Sequence, residues 1–236
     1  MTARRLVLSH AEMAELVARA GVTLPPGLVP EDVVPKGDWS PEEEQALAVN
    51  VAVLARPVVA VRMETAVPGR VLRGLFSVSG HLGASLFTLA DASVELSLFN
   101  AIDLGPELLR AVPDPLSLPD DTLSFALNPE LGDGLWGTVD LADLEWQPWM
   151  PQRGDDLAAR ARTVTRGSLS ALITGRSADG GVLAGQVAWL LTGECWTGLR
   201  PLEDGSRRVR LEPVDRADFP TWVAPHVTAI LEAGHA

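Results

Sequence analysis

Val58–Ser79, VVAVRMETAVPGRVLRGLFSVS, decides how the chain folds. Before Pro57 the apolar residues recur at helical spacing; from Val58 onward the pattern shortens toward two and β-branched residues dominate. Val58–Thr65 and Val71–Ser79 read as strands. Pro68-Gly69 reads as the turn that joins them, because proline presets one turn residue and glycine supplies positive φ. Gly80 and Gly83 punctuate the next turn, and Ser85–Leu89 and Ser93–Phe99 add two more strands around Asp91. Consecutive strands joined by short turns predict antiparallel pairing, since a parallel pair needs a long crossover.

Outward from this block, helices flank the strands. Toward the N-terminus, Ser40-Pro41-Glu42-Glu43 supplies an N-cap, a proline at the first helical position and acids at the positive end of the dipole. That helix is expected to run to about Ala55. Leu24–Asp38, with four prolines and two glycines, reads as an extended connector. Ser9-x-x-Glu12 is a capping box followed by Met13, Leu16, Val17 and Ala20 at helical spacing, with Gly21 closing the helix. Toward the C-terminus, Asp103 opens a helix over Leu104–Ala111, and Pro113, Pro115 and Pro119 mark a linker. Asp155–Val164 is helical, Leu169–Gly175 and Val182–Leu191 are strands joined at Asp179-Gly180-Gly181, and Trp196–Leu202 pairs with Arg207–Leu211 across Asp204-Gly205. Pro220–Ala233 is a closing helix in which Pro225 is tolerable only in the first turn.

The second half therefore repeats the order of the first. At an offset of 110 residues Trp39 meets Trp149, Pro41 meets Pro151, Leu47 meets Leu157, Ala48 meets Ala158 and Arg56 meets Arg166. One inserted residue sets Val71-Leu72-Arg73-Gly74 over Val182-Leu183-Ala184-Gly185, and an offset of 115 brings Val94 to Val209, Leu96 to Leu211 and Asp103 to Asp218. The period is too long for a solenoid. The expectation is an internal duplication: a first α+β half over 1–112, a linker segment over 113–148 and a second α+β half over 149–236. The halves, related by a pseudo-two-fold, are expected to share one sheet or one core as a single compact unit.

Composition narrows the function. The 236 residues are 47% hydrophobic and 21% charged, enough apolar material for a sizeable core and too little charge for a disordered chain. Nineteen basic residues, of which Lys36 is the only lysine, face 31 acidic ones, for a net charge of −12. Such a field repels phosphates and anionic lipid, so neither nucleic acid nor a membrane surface is an expected partner. Cys195 is the only cysteine, which excludes an intramolecular disulfide and a cysteine-based metal cluster. Met1–Leu8 is too polar and short for a signal-peptide core, and the apolar stretch Gly181–Gly193 falls well short of the roughly 20 residues a spanning helix needs. A soluble, cytoplasmic protein without membrane insertion is expected.

Catalytic chemistry is sparse. Gly132-Asp-Gly134-Leu-Trp-Gly137 matches G-x-G-x-x-G, but the dinucleotide fingerprint needs a strand before it and a helix after it, and a glycine-rich loop is the better reading. His10, His81, His226 and His235 are scattered; His81, between Gly80 and Gly83, is the one in a loop that could line a cleft. There is no G-x-S-x-G elbow, and Glu194 beside Cys195 disfavours a thiolate there. Asp120-Asp121, Asp140/Asp143/Glu145 and Asp155-Asp156 sit in linkers or at helix starts, where carboxylates cap amides rather than hold metals. No catalytic, cofactor-binding or metal residue is assigned, and the partner-binding residues are unknown at this level. Trp39, Trp149, Trp189 and Trp222 are expected in the core; Trp136, Trp146 and Trp196, in or near loops, are candidate exposed anchors, with core or rim packing the favoured reading for each.

The order of these features resembles the EspG family, proteins associated with type VII (ESX) secretion in actinobacteria. The resemblance runs through Leu6–Leu28, Leu54-Ala55-Arg56-Pro57-Val58-Val59-Ala60-Val61, the Gly80-to-Gly83 turn, Val94-Glu95-Leu96-Ser97-Leu98, Arg166-Gly167-Ser168 to Trp189, Trp196–Leu199 and Pro213–Asp218. Arginine in place of lysine, and seven tryptophans with no tyrosine, fit high-GC coding. The resemblance implies a quasi-symmetric α+β fold with a central antiparallel sheet and flanking helices. It implies a non-enzymatic cytosolic chaperone that keeps a helical secretion substrate, PE–PPE-like or WXG-like, soluble for export. Contact would be made through a sheet face and loop tips such as Pro68-Gly69 and Asp179-Gly180. Two other readings stand beside it: a small-molecule enzyme with a site in the cleft between the halves, drawing on His81 or an acidic cluster, and a homodimeric scaffold without a client.

Overall fold

The computed structural model describes residues 4–20, 33, 34, 36, 39–89, 91, 93–118, 135–144 and 156–235. The turn at Pro68-Gly69 joins β2 (Val59–Val67) to β3 (Arg70–Ser79) in the expected hairpin, paired from Val59↔Val78 to Val67↔Arg70. β4 (Leu82–Thr88) and β5 (Val94–Asn100) continue the meander. In the second half β7 (Thr165–Arg176), β8 (Val182–Thr192), β9 (Cys195–Pro201) and β10 (Arg208–Val214) do the same. Two strands that periodicity does not reveal close the edges: β1 (Arg4–Leu8) beside β5, and β6 (Gly137–Asp140) beside β10. Both are too short to show an alternation, and β6 lies where a loop was expected.

All these strands form one antiparallel sheet of ten, in the order β1-β5-β4-β3-β2-β7-β8-β9-β10-β6. The order reads alike outward from the central pair β2–β7, whose ladder runs from Val59↔Gly175 to Ala66↔Ser168. Beyond each meander comes a 3-10 turn and a helix: Ala101–Asp103 then α3 (Leu104–Arg110), and Arg216–Asp218 then α6 (Phe219–His235). Leu104 and Phe219, each just after its aspartate, are both buried. Asp103, however, makes no side-chain cap. In the second half Asp215 and Asp218 form a reciprocal capping box, with the Asp215 amide donating to Asp218 Oδ2 at 2.9 Å.

The remaining helices are α1 (His10–Ala20), α2 (Pro41–Ala55), α4 (Leu141–Leu144) and α5 (Asp156–Val164). The capping box at Ser9 and Glu12 is present, with the Ser9 amide donating to Glu12 Oε2 at 2.7 Å. Helices cover both faces of the sheet. On one face, α3 and α6 bury Val61, Met63, Phe76, Phe87, Leu169, Ile173, Val187 and Trp189. On the other, α1 and α2 cover the first half through Met13, Leu16, Leu47, Val51 and Leu54 against Leu75, Leu86 and Leu96. A smaller cluster, Leu135, Val139, Ala158, Ala161, Val209 and Leu211, seats α5 on the β6–β10 edge. Burial of apolar area at about 25 cal/mol per Å² is what holds these layers together.

Pro225 departs from expectation. It lies inside α6, past the first turn, on the exposed side. A proline inside a helix costs about 3 kcal/mol through a missing N–H and a clash with the preceding turn. Phe219, Val223 and Ile230 on the packed side are 0–3% exposed, and burial of each stabilises by roughly 1.5–3 kcal/mol. Packing outweighs the local penalty.

Candidate binding surface

Among the described residues, the central strands are fully covered on one face and open on the other. On the α3–α6 face, the row Met63–Ala171–Val187 crosses β2, β7 and β8 and is buried throughout. On the opposite face the rows are Arg62–Leu172–Gln186, Glu64–Ser170–Ala188 and Ala66–Ser168–Leu190. Each of these residues is exposed or half-buried, and Leu172 is 39% exposed. α2 lies over β3, β4 and β5, while α5 lies against β6, so no described helix covers β2, β7 and β8 on this side. Three strands at about 4.8 Å spacing make a trough about 14 Å wide, enough for one α-helix with its side chains, about 10–12 Å across.

The trough deepens on the second-half side into a cavity of about 520 Å³. Leu141 and Leu144 of α4, Ala161 of α5, Leu190 of β8 and Leu199 of β9 make its walls, with Arg162, Thr165 and Arg207 at the boundary. Arg162 donates to the Asp143 carbonyl, which ties α5 to α4 and fixes one wall. Apolar anchors thus sit at one side of the trough and charged or small polar residues line the rest. The alternation that builds this lining is legible in the odd and even positions of β7, LSALI, where Leu169, Ala171 and Ile173 are buried while Ser170 and Leu172 face the trough.

The two loop tips do not act together. Val59 pairs with Gly175 and Ala66 with Ser168, so the β2–β3 turn and the β7–β8 turn stand at opposite ends of the central ladder. Glycine is required at both, with φ of +78° at Gly69 and +86° at Gly180. At the second tip Ser177 donates to Asp179, and the Gly181 amide donates to the same carboxylate at 3.1 Å. Those bonds, the Ser177 hydroxyl first, hold Asp179 below the ordinary aspartate range. Each tip can meet only one end of a helix laid along the trough.

Residues singled out for catalysis are not brought together. His81 is exposed in the β3–β4 turn and its side chain makes no hydrogen bond or ion pair among the described residues. His226 is on α6 over Gly185, remote from it in the sheet. Cys195 is half-buried at the start of β9. Asp140 accepts from the Ala142 amide at 2.9 Å, a turn bond at the start of α4. No group of three histidine, cysteine or acidic side chains suited to a metal occurs among the described residues. Gly137 opens strand β6 where a dinucleotide fingerprint needs a helix. Gly132, Gly134, Asp120, Asp121, Glu145, Trp146, Trp149 and Asp155 lie outside the described residues, as does most of Leu24–Asp38. The seam between the halves is a continuous ladder, not a cleft.

Trp189 lies in the core as expected, and Trp222 and Trp39 pack against core clusters. Trp189 is buried, with Phe219 at 5.1 Å and Trp222 at 5.8 Å, both edge-on. Trp196, considered for an exposed anchor, is 1% exposed; its indole N–H donates to the Pro113 carbonyl at 3.1 Å, pinning the segment after α3 to the second half. Among the described tryptophans Trp136 is the exposed one, at 67%.

A buried ion network was not foreseen. Glu95 on β5 and Glu107 on α3 are 8% and 3% exposed. Arg110 pairs with Glu95 at 2.5 Å and with Glu107 at 2.8 Å, and Arg5 reaches Glu107 at 3.3 Å. Burial alone would lower the Arg110 pKa, but the hydrogen bonds with Glu107 and Glu95 outweigh it and raise it above its ordinary value. Two acids and two bases balance, so the network acts as a staple between β1, β5 and α3. The one signal in the sequence was the i, i+3 spacing of Glu107 and Arg110.

No protein-family model matches the chain, and no curated protein matches its sequence. Among solved structures the fold is similar to that of the Mycobacterium tuberculosis type VII secretion system chaperone EspG5, determined in complex with a PE25–PPE41 dimer. The TM-score is 0.54 at 9% identity, over 98% of this chain and 96% of that one. The likeness is one of fold: a large antiparallel sheet with flanking helices, EspG-like from end to end. No described helix is long and apolar enough to cross a membrane.

Proposed function

We propose that this protein is a chaperone that holds a helical secretion substrate, PE–PPE-like or WXG-like, and keeps it soluble in the cytoplasm until export. The observation that carries the reading is the uncovered trough on β2, β7 and β8, one helix wide, with an apolar cavity along one side. An EspG-like fold supports it. A client helix would lay its apolar face toward Leu172 and Leu190, with a long side chain entering the cavity beside Leu144 and Leu199. Arg62 and Glu64, opposite in sign on adjacent rows, would fix its register. We also read the two halves as descendants of one α+β unit. The mirrored strand order and the matching turn-and-helix endings support that descent.

Co-expression with small helical-hairpin proteins encoded beside this gene tests the proposal. The expected result is a 1:1 complex that survives gel filtration. Leu172→Asp, at an exposed position, is expected to weaken that complex at least tenfold while leaving the melting temperature within about 2 °C, as for other surface substitutions. If no such protein co-purifies, or if Leu172→Asp binds as the parent does, the reading fails.

A further inference from the structure

On the face away from the trough, a second cavity of about 170 Å³ opens beside the β2–β3 turn. Met63, Leu72, Phe87 and Pro113 give it apolar walls. Two polar groups there lack partners. Thr65 lines the cavity and is 1% exposed, yet its hydroxyl makes no hydrogen bond among the described residues. Arg70, half-buried at the mouth, makes no ion pair among them. Thr65 lies opposite Leu72 and Val67 opposite Arg70, which makes Thr65 and Arg70 diagonal neighbours on one face, about 7–8 Å apart at their Cα atoms.

The other arginines that line the cavity are committed, Arg73 to a partner on the trough face. Arg73 bonds Glu64 at 3.0 Å, and Arg110 bonds Glu107 and Glu95. With Arg5 sharing Glu107 and Glu95, those charges cancel, and Arg70 has no ion-pair partner among the described residues, in a chain of net −12. The combination selects for a particular ligand chemistry. An apolar cavity of roughly 150 Å³ accommodates a benzene ring, so this one takes a body of about six carbons. The buried hydroxyl and the guanidinium call for oxygen acceptors at one end, and a guanidinium favours an anionic one. A bare phosphate or sulfate would leave the apolar walls unfilled.

We propose that this cavity binds a compact apolar carboxylate, a branched or aromatic short-chain acid. Its body lies against Leu72 and Phe87, one carboxylate oxygen meets Arg70, and the other accepts from the Thr65 hydroxyl. The inference stands independently of the chaperone reading, because it concerns the opposite face and needs no client.

Phenylacetate serves as the probe, with phenylacetamide as its neutral counterpart and acetate as the anion without a body; affinities are read by ligand-observed NMR and calorimetry on the full chain. Phenylacetate is expected to bind at least tenfold more tightly than either control. Arg70→Gln should weaken it about tenfold and erase the preference over the amide, Thr65→Val should weaken it about threefold, and Leu72→Trp should abolish it by filling the space. Equal binding of acid and amide by the parent protein, a comparison that requires no variant, overturns the proposal. So does unchanged affinity in Arg70→Gln, in Thr65→Val or in Leu72→Trp.

Discussion

Two glycines, Gly185 and Gly198, decide how near α6 can lie to the sheet. A Cβ at Gly198 would fall 2.6 Å from Trp222 Cζ2, and one at Gly185 would fall 2.6 Å from His226 Cγ. Trp222 cannot retreat without loosening its edge-on contact with the buried Trp189. Gly185→Ala and Gly198→Ala are each expected to cost about 1–3 kcal/mol through overpacking. Gln186→Ala, exposed on the trough side, should stay within about 0.5 kcal/mol. Urea denaturation at constant slope measures all three. The ion staple behaves differently. Arg110→Met leaves Glu107 and Glu95 buried beside a single arginine, and a loss of about 3 kcal/mol is expected. The exposed turn carboxylates set a pH dependence. Asp91, Asp179 and Asp204 each accept from a nearby serine, Ser93, Ser177 and Ser206, and sit below the ordinary aspartate range. A depressed folded-state pKa means the stabilisation is present above the unfolded-state value and lost as pH falls through the folded one. Stability should therefore decline on the acid side of the aspartate range, and Ser177→Ala should raise the Asp179 pKa in a carboxyl NMR titration.

At the scale of elements, α6 carries its own test. Pro225 is exposed and its ring only interrupts the helical ladder. Pro225→Ala is expected to raise stability by about 1 kcal/mol, less than the full interior penalty because α6 is already adapted to it. A thermal melt decides it, and a lower midpoint would mean that the interruption shapes the helix for its bed of glycines. The strands and helices with regular periods were legible from the chain: Pro68-Gly69 fixed the first hairpin, and Ser40-Pro41 fixed the start of α2. What could not be read was what depends on partners distant in sequence. Arg4–Leu8 became a strand only because β5 offers its edge, and Glu95 could not be seen as buried without Arg110 and Arg5 around it. The burial of Trp196 could not be read from its neighbours, because its acceptor, the Pro113 carbonyl, is 83 positions away. The trough was half legible. Alternation in β7 showed one apolar face, but a void between α2 and α5 is a property of where helices land.

At the scale of the molecule, the sheet is continuous across β2 and β7, so the two halves should unfold as one. A single calorimetric transition is expected, and Ala171→Asp, which sets a charge into the buried row at the seam, should abolish folding of both halves together. The net charge of −12 sets copies of the molecule against one another electrostatically, which favours solubility. The central pairing also has a consequence during synthesis. About 100 residues separate the end of β2 from the start of β7, and a ribosome adding roughly 5–20 residues per second needs about 5–20 s to cover them. Once β5 is made, for about the last two thirds of that interval, the nascent first half holds the full four-strand meander, whose innermost strand has a bare edge. A protein proposed to shelter others thus passes through a stage at which it is itself exposed, and slower translation of its second half would be expected to lengthen that exposure and lower the soluble yield.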